Sequence, residues 1–406
     1  MIDHKIIGKN LKLFIFDNYV GKGLPIWLPN GLYIYNKIKK IIKLLNIKDK
    51  YKEVLTPNIV NKNLYKLSGH LNKYHNNIYK IKKKKFFIKP MNCPTHCIIY
   101  KNNNNLYYKK LPIKYFEFGT VYRNEKSGQL NGLFRTISFT QDDGHIFCLK
   151  KNIYKEIIKL IKNIINIYNK FNLKKIYIRL SLRDKKKIKF NKYIGNRKNW
   201  EKIENIMFNI QKIIKKKYNY KIYIKYGEAA FYGPKIDFIV KDSLLRKWQL
   251  GTIQIDNNSC KNFNIKYIDK YNNFKYPILL HRAYLGSIER FIAILIEHNN
   301  GILPIWLLKL QLIILPINKN NLLYSIKIFN KLKKKKINVK LNKKKINLNK
   351  KIKKYIKRRV PIIFIIGDKE VKNNSIFIRT YDRSKIGNFK FKYAINYVLN
   401  KIKIKF

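Results

Sequence analysis

The chain has 406 residues, of which 46% are hydrophobic and 14% aromatic, with 90 Lys and Arg against 22 Asp and Glu and a formal net charge of +68. The apolar content excludes a disordered chain, and the length allows two or three domains with cores of their own; the basic excess suits a polyanionic partner, nucleic acid first, although Lys, Asn, Ile, Tyr and Phe also accumulate under genomic base bias. Cys93, Cys97, Cys148 and Cys260 are too few and too irregular for a disulfide framework, and there is neither a cleavable leader nor an apolar run of ~18 residues, so a reducing, cytoplasmic setting without a membrane span is expected.

Residues 1–28 show short apolar patches and a turn, GKGLP, without clear periodicity. Asn30-Gly31 opens a helical pattern that runs through Ile34, Ile38, Ile41, Ile42 and Leu45. YKEVLTP is extended and ends at Pro57, and residues 77–89 read as a hairpin with lysines at its turn. After MNCPTHC (91–97), the stretch 115–147 alternates at a two-residue period and predicts two strands around a glycine-bearing loop, 126–132. A strongly amphipathic helix is expected over 150–172, a strand at 175–181 and a helix over 199–217. Further strands are expected at 219–226, 236–241 and 247–256, and Ser287 caps a helix from Ile288 to His298. At Leu303-Pro304 the texture changes to alternating strands and helices. The expected architecture is therefore α+β over 1–302, with antiparallel strands and helices, followed by a small α/β domain over 303–406 with a mostly parallel sheet.

The stretch 115–147 carries unusual chemistry. Glu117, Gly119, Val121, Arg123 and Glu125 share one strand face; Arg135, Ile137, Phe139, Gln141, Asp143 and His145 share another. A strand that only filled a core would not collect guanidinium, carboxylate, amide and imidazole groups on one wall; the plainer alternative is an exposed polar face. No P-loop, Rossmann fingerprint, HExxH or paired CxxC occurs, so any chemistry rests on dispersed groups.

Four stretches, KPMNCPTH (89–96), the 115–147 hairpin, FYGPKIDF with WQLGTIQID (231–238, 248–256), and HRAYLGSIERF (281–291), resemble the class II aminoacyl-tRNA synthetases, and within them the threonyl-tRNA synthetase family. The resemblance runs from about Asp3 to the C-terminus and includes GDKEV (367–371) with Ile378-Arg379-Thr380. It implies a six-stranded antiparallel sheet flanked by helices, then an α/β anticodon-binding domain. The helix and strand ending at Pro57 match the family's homodimer interface. ATP binds the hairpin: Arg123 meets the α-phosphate, Glu125 reads the adenine amino group, Phe139 stacks on the ring, Arg135 and Arg290 approach the outer phosphates, and Gln249 and Thr252 lie on the nucleotide side. Arg123 and Arg290 are the catalytic pair, because fixed guanidinium groups stabilise charge that shifts as pyrophosphate leaves. Cys93, His145 and His281 match the zinc ligands, one zinc per subunit, with magnesium accompanying ATP. A Cys/His₂ set leaves positions open for the amino and hydroxyl groups of L-threonine. Shape alone separates threonine from valine by only ~10²-fold, so a metal that demands a hydroxyl answers a selection problem. Gln141 and Asp143 hold the threonine, Tyr232 and Gln254 close its pocket, and Lys235 lies nearby. In the last domain Glu370 and Arg379 match positions that read anticodon bases of tRNA(Thr), with Arg358 and Arg359 as further contacts.

The sequence departs from the family pattern in places. Ile137 and Ser138 stand where a basic residue and Gly are usual, and Leu250 replaces a Cys. The resemblance begins at the catalytic core, so a minimal enzyme without a cis domain for hydrolysing seryl-tRNA is expected. His96 and Cys97, beside Cys93, are a weaker candidate for a local metal cluster. The rivals are a seryl or prolyl member of the same subclass and a catalytically silent tRNA-binding protein.

Overall fold

The computed structural model describes residues 3–69, 71, 75–81, 85–103, 106–184, 192–218, 220–242, 245–382 and 384–402. The chain forms two compact units, one of residues 16–25 and 39–294, the other of residues 1–15, 26–38 and 295–406.

The larger unit is built on an eight-stranded sheet. Its strands in chain order are β1 (Lys52–Glu53), β2 (Ile113–Tyr122), β3 (Ser138–Cys148), β4 (Ile176–Leu182), β5 (Ile222–Tyr226), β6 (Lys235–Lys241), β7 (Lys247–Asp256) and β8 (Ile278–Ser287). They lie in the order β1-β2-β3-β8-β7-β6-β4-β5. The expectation of six antiparallel strands is thus corrected. The inner six do pair antiparallel, but β1 joins β2 and β5 joins β4 in parallel, so the sheet is larger and mixed. Only two residues of β1 pair, and β5 is mostly exposed, so neither edge carries a strong alternation.

Register sorts the side chains between two faces. Ile146, Leu280, Ile255 and Ile253, Ile236 and Leu180 share the buried face. The helix Ile153–Lys170 packs on it across β7 and β8, burying Ile157, Leu160, Ile161, Ile164, Ile165 and Tyr168 at helical spacing. The Tyr168 hydroxyl donates to the Tyr284 carbonyl at 3.0 Å and accepts from the Gly251 amide at 2.6 Å, so a buried polar tip is satisfied by the sheet backbone. Each fully buried aliphatic side chain here contributes about 1.5–3 kcal/mol.

In the smaller unit β9 (Leu312–Pro316), β10 (Val339–Leu341), β11 (Ile362–Ile366), β12 (Ser375–Thr380) and β13 (Lys385–Lys390) form a sheet in the order β10-β9-β11-β12-β13. Leu312, Ile314, Ile362 and Phe364 pack with the helices Leu322–Lys334 and Phe391–Ile402. Ile313, Leu315, Ile363 and Ile365 pack with the helix Leu348–Lys357. The sheet is not mostly parallel as expected. β9 pairs in parallel with β10 and β11, while β11–β12 and β12–β13 are antiparallel. Residues 367–374 are too short for a parallel crossover, which needs a dozen or more residues. β13 is exposed at nearly every position and shows no alternation, so the sequence does not announce it.

Most other elements lie within a few residues of expectation. The helix Pro29–Lys48 contains the pattern read from Asn30, and a helix at His4–Asn10 occupies part of the region that read as patches. In the hairpin over 77–89, the Ile81 amide bonds to the Phe86 carbonyl and the Ile88 amide to Tyr79; the lysines expected at its turn lie outside the described residues.

Candidate active site

The face of the large sheet opposite the helix Ile153–Lys170 carries polar side chains in two cross-strand rows. Tyr115, His145, His281, Gln254, Lys235 and Ser181 are register neighbours in turn. The next row is Glu117, Asp143, Ala283, Thr252, Asp237 and Arg179. Residues far apart in sequence are thereby brought side by side through a two-residue period in separate strands.

Toward the loop end of β3 lies a cavity of about 200 Å³. Arg123, Glu125, Arg135, Phe139, Gln249, Thr252 and Arg290 all line it, together with Gln141 and Gln254. The Arg123 guanidinium lies 4.9 Å from the Phe139 ring centroid. Arg290 Nε donates to the Phe134 carbonyl at 2.9 Å. Burial, and then the charges of Arg123 and Arg135, push the Arg290 guanidinium below its ordinary value. Like charges are thus gathered where a polyanion would relieve them. Arg135 pairs with Glu125 through Nε at 3.0 Å and Nη2 at 2.7 Å.

Toward the other end of β3 lie Cys93, His145 and His281, all buried, with ligand atoms within 4.8 Å of one another. Cys93 opens the helix Cys93–Lys101, while His145 and His281 are cross-strand partners on β3 and β8. Burial, then the Asp143 charge, pushes the Cys93 thiol well above its ordinary value. Burial, then His96 and His281, holds the His145 imidazole well below its own. Asp143 accepts from Asn92 Nδ2 at 3.1 Å. That reach depends on Gly119, because a Cβ there would stand 2.4 Å from the Asn92 amide. The Tyr232 hydroxyl donates to Gln254 Oε1, and its ring centroid lies 4.9 Å from that of His281. Cys97 does not join this group; it packs in an apolar cluster with Cys260, Tyr100 and Phe147.

A family whose description is the tRNA synthetase class II core domain (G, H, P, S and T) matches residues 77–299, and one described as an anticodon binding domain matches residues 311–401. The chain belongs to the class II tRNA synthetase family. Threonine–tRNA ligase of Bacteroides fragilis is 41% identical over 397 residues, 96% of this chain and 60% of that protein. The enzyme of the same name from Azobacteroides pseudotrichonymphae is 42% identical over 396 residues, again 96% and 60% of the two chains. This chain therefore spans about 60% of the length of the curated relatives it matches. The solved RNA binding domain of threonyl-tRNA synthetase from Cryptosporidium parvum is 34% identical, with a TM-score of 0.88 and 98% of each chain covered.

Several residues of the site escape a sequence reading. Buried Asp237 accepts from Arg179 Nη2 at 3.0 Å, Ser181 Oγ at 2.7 Å, Gln249 Nε2 at 2.8 Å and Thr252 Oγ1 at 3.2 Å. It fixes two of the cavity-lining side chains. Its one local signal is a carboxylate between Ile236 and Phe238 in a strand. Asp142 points to the buried face and accepts the amides of Tyr284 at 2.7 Å, Leu285 at 3.0 Å and Gly286 at 3.1 Å. The pairing of β3 with β8 shifts between Ala283 and Ser287, and this carboxylate satisfies the backbone there. It thereby sets where Ser287 and Arg290 begin the next helix. In the smaller unit Glu370 accepts from the Gly367 amide at 2.8 Å and from Asn388 Nδ2 at 3.1 Å, so it caps its own helix, Asp368–Lys372. Arg379 lies half-buried on β12. Among the described residues no helix is long and apolar enough to cross a membrane.

Proposed function

We propose that this chain is a threonine–tRNA ligase: it joins threonine to ATP as threonyl-adenylate, then passes threonine to the 3′ end of tRNA(Thr). One observation carries the reading. A Cys/His₂ set with Asp143 beside it shares a sheet face with a cavity lined by Arg123, Glu125 and Arg290. We assign residues 1–302 to catalysis and residues 303–406 to anticodon binding, with Glu370 and Arg379 as base contacts. A cytoplasmic homodimer is part of the proposal.

The donor set fits zinc: one sulfur and two imidazole nitrogens, buried and convergent, with fewer than four protein ligands. When bound, zinc supplies open positions for an amino group and a hydroxyl, which valine cannot both fill. Asp143 and Gln141 would then help hold the substrate's amino and hydroxyl groups, and Tyr232 with Gln254 would close the pocket over the side chain. ATP enters with magnesium. Glu125 exchanges its ion pair with Arg135 for the adenine amino group, Phe139 stacks on the ring, and Arg135 turns to the outer phosphates.

In the first step a carboxylate oxygen of threonine attacks the α-phosphorus and the bond to pyrophosphate breaks. No general base is needed, because the nucleophile is already an anion. Arg123 and Arg290 stand where charge shifts, held by the Phe139 face and the Phe134 carbonyl, so they stabilise it without reorganising. Asp237 keeps Gln249 and Thr252 on the nucleotide side. In the second step the terminal ribose hydroxyl attacks the adenylate carbonyl carbon and AMP leaves. Serine also carries an amino group and a hydroxyl, so this site is expected to activate it measurably. We further propose that residues 1–406 do not hydrolyse seryl-tRNA, which a deacylation assay decides.

ATP–pyrophosphate exchange with threonine, serine and valine in parallel tests the reading. Exchange with threonine, weaker exchange with serine and none above background with valine is expected. Zinc-replete protein that shows no threonine-dependent exchange would end the ligase assignment.

A further inference from the structure

His96 is fully buried beside the metal set and takes no part in the reaction proposed for it. It belongs to a line of five residues. Glu117 Oε1 lies 3.1 Å from His96 Nε2, and His96 Nδ1 lies 2.9 Å from His145 Nδ1. His145 Nε2 lies 3.0 Å from His281 Nδ1, and His281 Nε2 lies 3.1 Å from Asp256 Oδ2.

Counting donors along this line fixes the tautomers. Asp256 already accepts the amides of Asn258 at 2.8 Å and Ser259 at 2.9 Å on Oδ1, and the Ser259 hydroxyl on Oδ2. It is an acceptor throughout, so His281 Nε2 donates. At the other end Lys89 donates to the Thr56 hydroxyl oxygen at 2.9 Å, and that hydroxyl donates to Glu117 Oε1 at 2.8 Å. Glu117 also accepts the Thr56 amide at 3.1 Å, so His96 Nε2 is a donor too. A neutral imidazole that donates from Nε2 presents a lone pair at Nδ1. His96 and His281 therefore both aim lone pairs at His145, which has one N–H to give. If His145 donates from Nδ1 to His96, its Nε2 lone pair faces that of His281, beside Cys93. A cation bound between them resolves the mismatch, and no other donor assignment leaves both nitrogens free to bind one.

We propose that His96 backed by Glu117, and Asp256, are the positioning residues of the metal centre. They set the tautomers so that Nε2 of His145 and Nδ1 of His281 are the ligand atoms. This rests on the reading that Cys93, His145 and His281 hold zinc. Outer partners of this kind raise metal affinity by about 10–100-fold.

The test measures zinc affinity of the full chain by chelator competition, and the thiolate-to-metal absorption of the cobalt(II) form, with circular dichroism and melting as folding controls. His96→Leu and Asp256→Asn are expected to weaken zinc by about 10–100-fold and to perturb the cobalt spectrum. His96→Gln, whose amide oxygen accepts from His145 Nδ1, is expected to recover most of the affinity. If His96→Leu fails to fold, Glu117→Gln serves instead, because its amide N–H would force His96 into the other tautomer. Full zinc affinity in these variants, with affinity lost in Cys93→Ser, overturns the inference alone. Equal loss in His96→Leu and His96→Gln reduces His96 to packing and also overturns it. A native chain that binds no zinc, or a Cys93→Ser variant that binds it fully, overturns the metal reading and the inference together.

Discussion

The two large sheets of the molecule use the same backbone geometry in opposite ways. In the small sheet every residue of β9 and β11 is buried, and alternate side chains go to separate apolar clusters on the two faces. Its faces are closed to ligands, so side chains offered to a partner would have to come from its ends and edges. In the large sheet one face is packed by helices while the other carries imidazole, amide, carboxylate and guanidinium groups in register. A sheet covered on one side becomes a board on which distant residues can be set at fixed spacing. Substitutions should therefore separate: on the open face they move chemistry, and in the closed sheet they move stability.

The largest effect on chemistry is expected at Arg290. If Arg290 acts as proposed, Arg290→Gln removes a fixed charge where pyrophosphate departs, and threonine-dependent exchange should fall about 10²–10³-fold, the loss seen for a single preorganised donor. The melting temperature should barely move. Near-normal exchange in this variant would show that the cavity is not where the α-phosphate reacts. The counterpart is Phe364→Ala in β11, whose ring is fully buried in the small sheet. It should cost about 3–5 kcal/mol in stability. Exchange measured well below the melting transition should change little; a parallel collapse of exchange would erase the contrast between the sheets.

A smaller effect separates residues that touch substrate from those that hold them. Asp237→Asn keeps the shape but replaces one acceptor oxygen by a donor among Arg179, Ser181, Gln249 and Thr252. Exchange should drop about 10–100-fold, mainly through the KM for ATP, as Gln249 and Thr252 lose their anchor. An unchanged KM for ATP together with a markedly lowered melting temperature would make Asp237 a plain core carboxylate.

Much of the open face was legible in the sequence because strand alternation is a local signal. The stretch 115–147 alone places Arg135, Phe139, Gln141, Asp143 and His145 on one side of a single predicted strand; the observed β3 begins only at Ser138, and its register keeps Gln141, Asp143 and His145 on that side opposite Gly119, Glu117 and Tyr115. What lay beyond reach was partnership. His145 and His281 meet although 136 residues apart, and Asp256 and Asp237 gain meaning only from strands paired with theirs. His96 is a fair example: its neighbours in sequence suggest a local Cys/His cluster, yet the helix turns Cys97 into the apolar core and His96 toward β3. The wrong topology in the small sheet had a different origin. Alternating strands and helices suggested parallel pairing throughout, but the short link 367–374 was itself the evidence for an antiparallel turn back.

The last expected effect concerns pH, and it too should distinguish the sheets. No Asp or Glu occurs in β9 to β13 or in the helices Leu322–Lys334, Leu348–Lys357 and Phe391–Ile402. In the large unit Glu289 is buried at the start of its helix, accepting the Thr140 amide at 3.0 Å and the Ser287 hydroxyl at 2.9 Å. Burial outweighs those bonds and raises its carboxyl from 4.5 to about 7. The folded chain therefore keeps a proton that the unfolded chain releases between those two values. The Glu289 contribution is full below pH 4.5, declines as pH rises, and is gone above about 7. Relative to Glu289→Gln, the native chain should lose on the order of 2–3 kcal/mol of stability across that window. Denaturant melts at pH 5 and pH 8 measure it for both chains. A difference that stays constant, or that grows in favour of the native chain as pH rises, would mean that the Thr140 and Ser287 bonds win over burial and that Glu289 is an ionised cap.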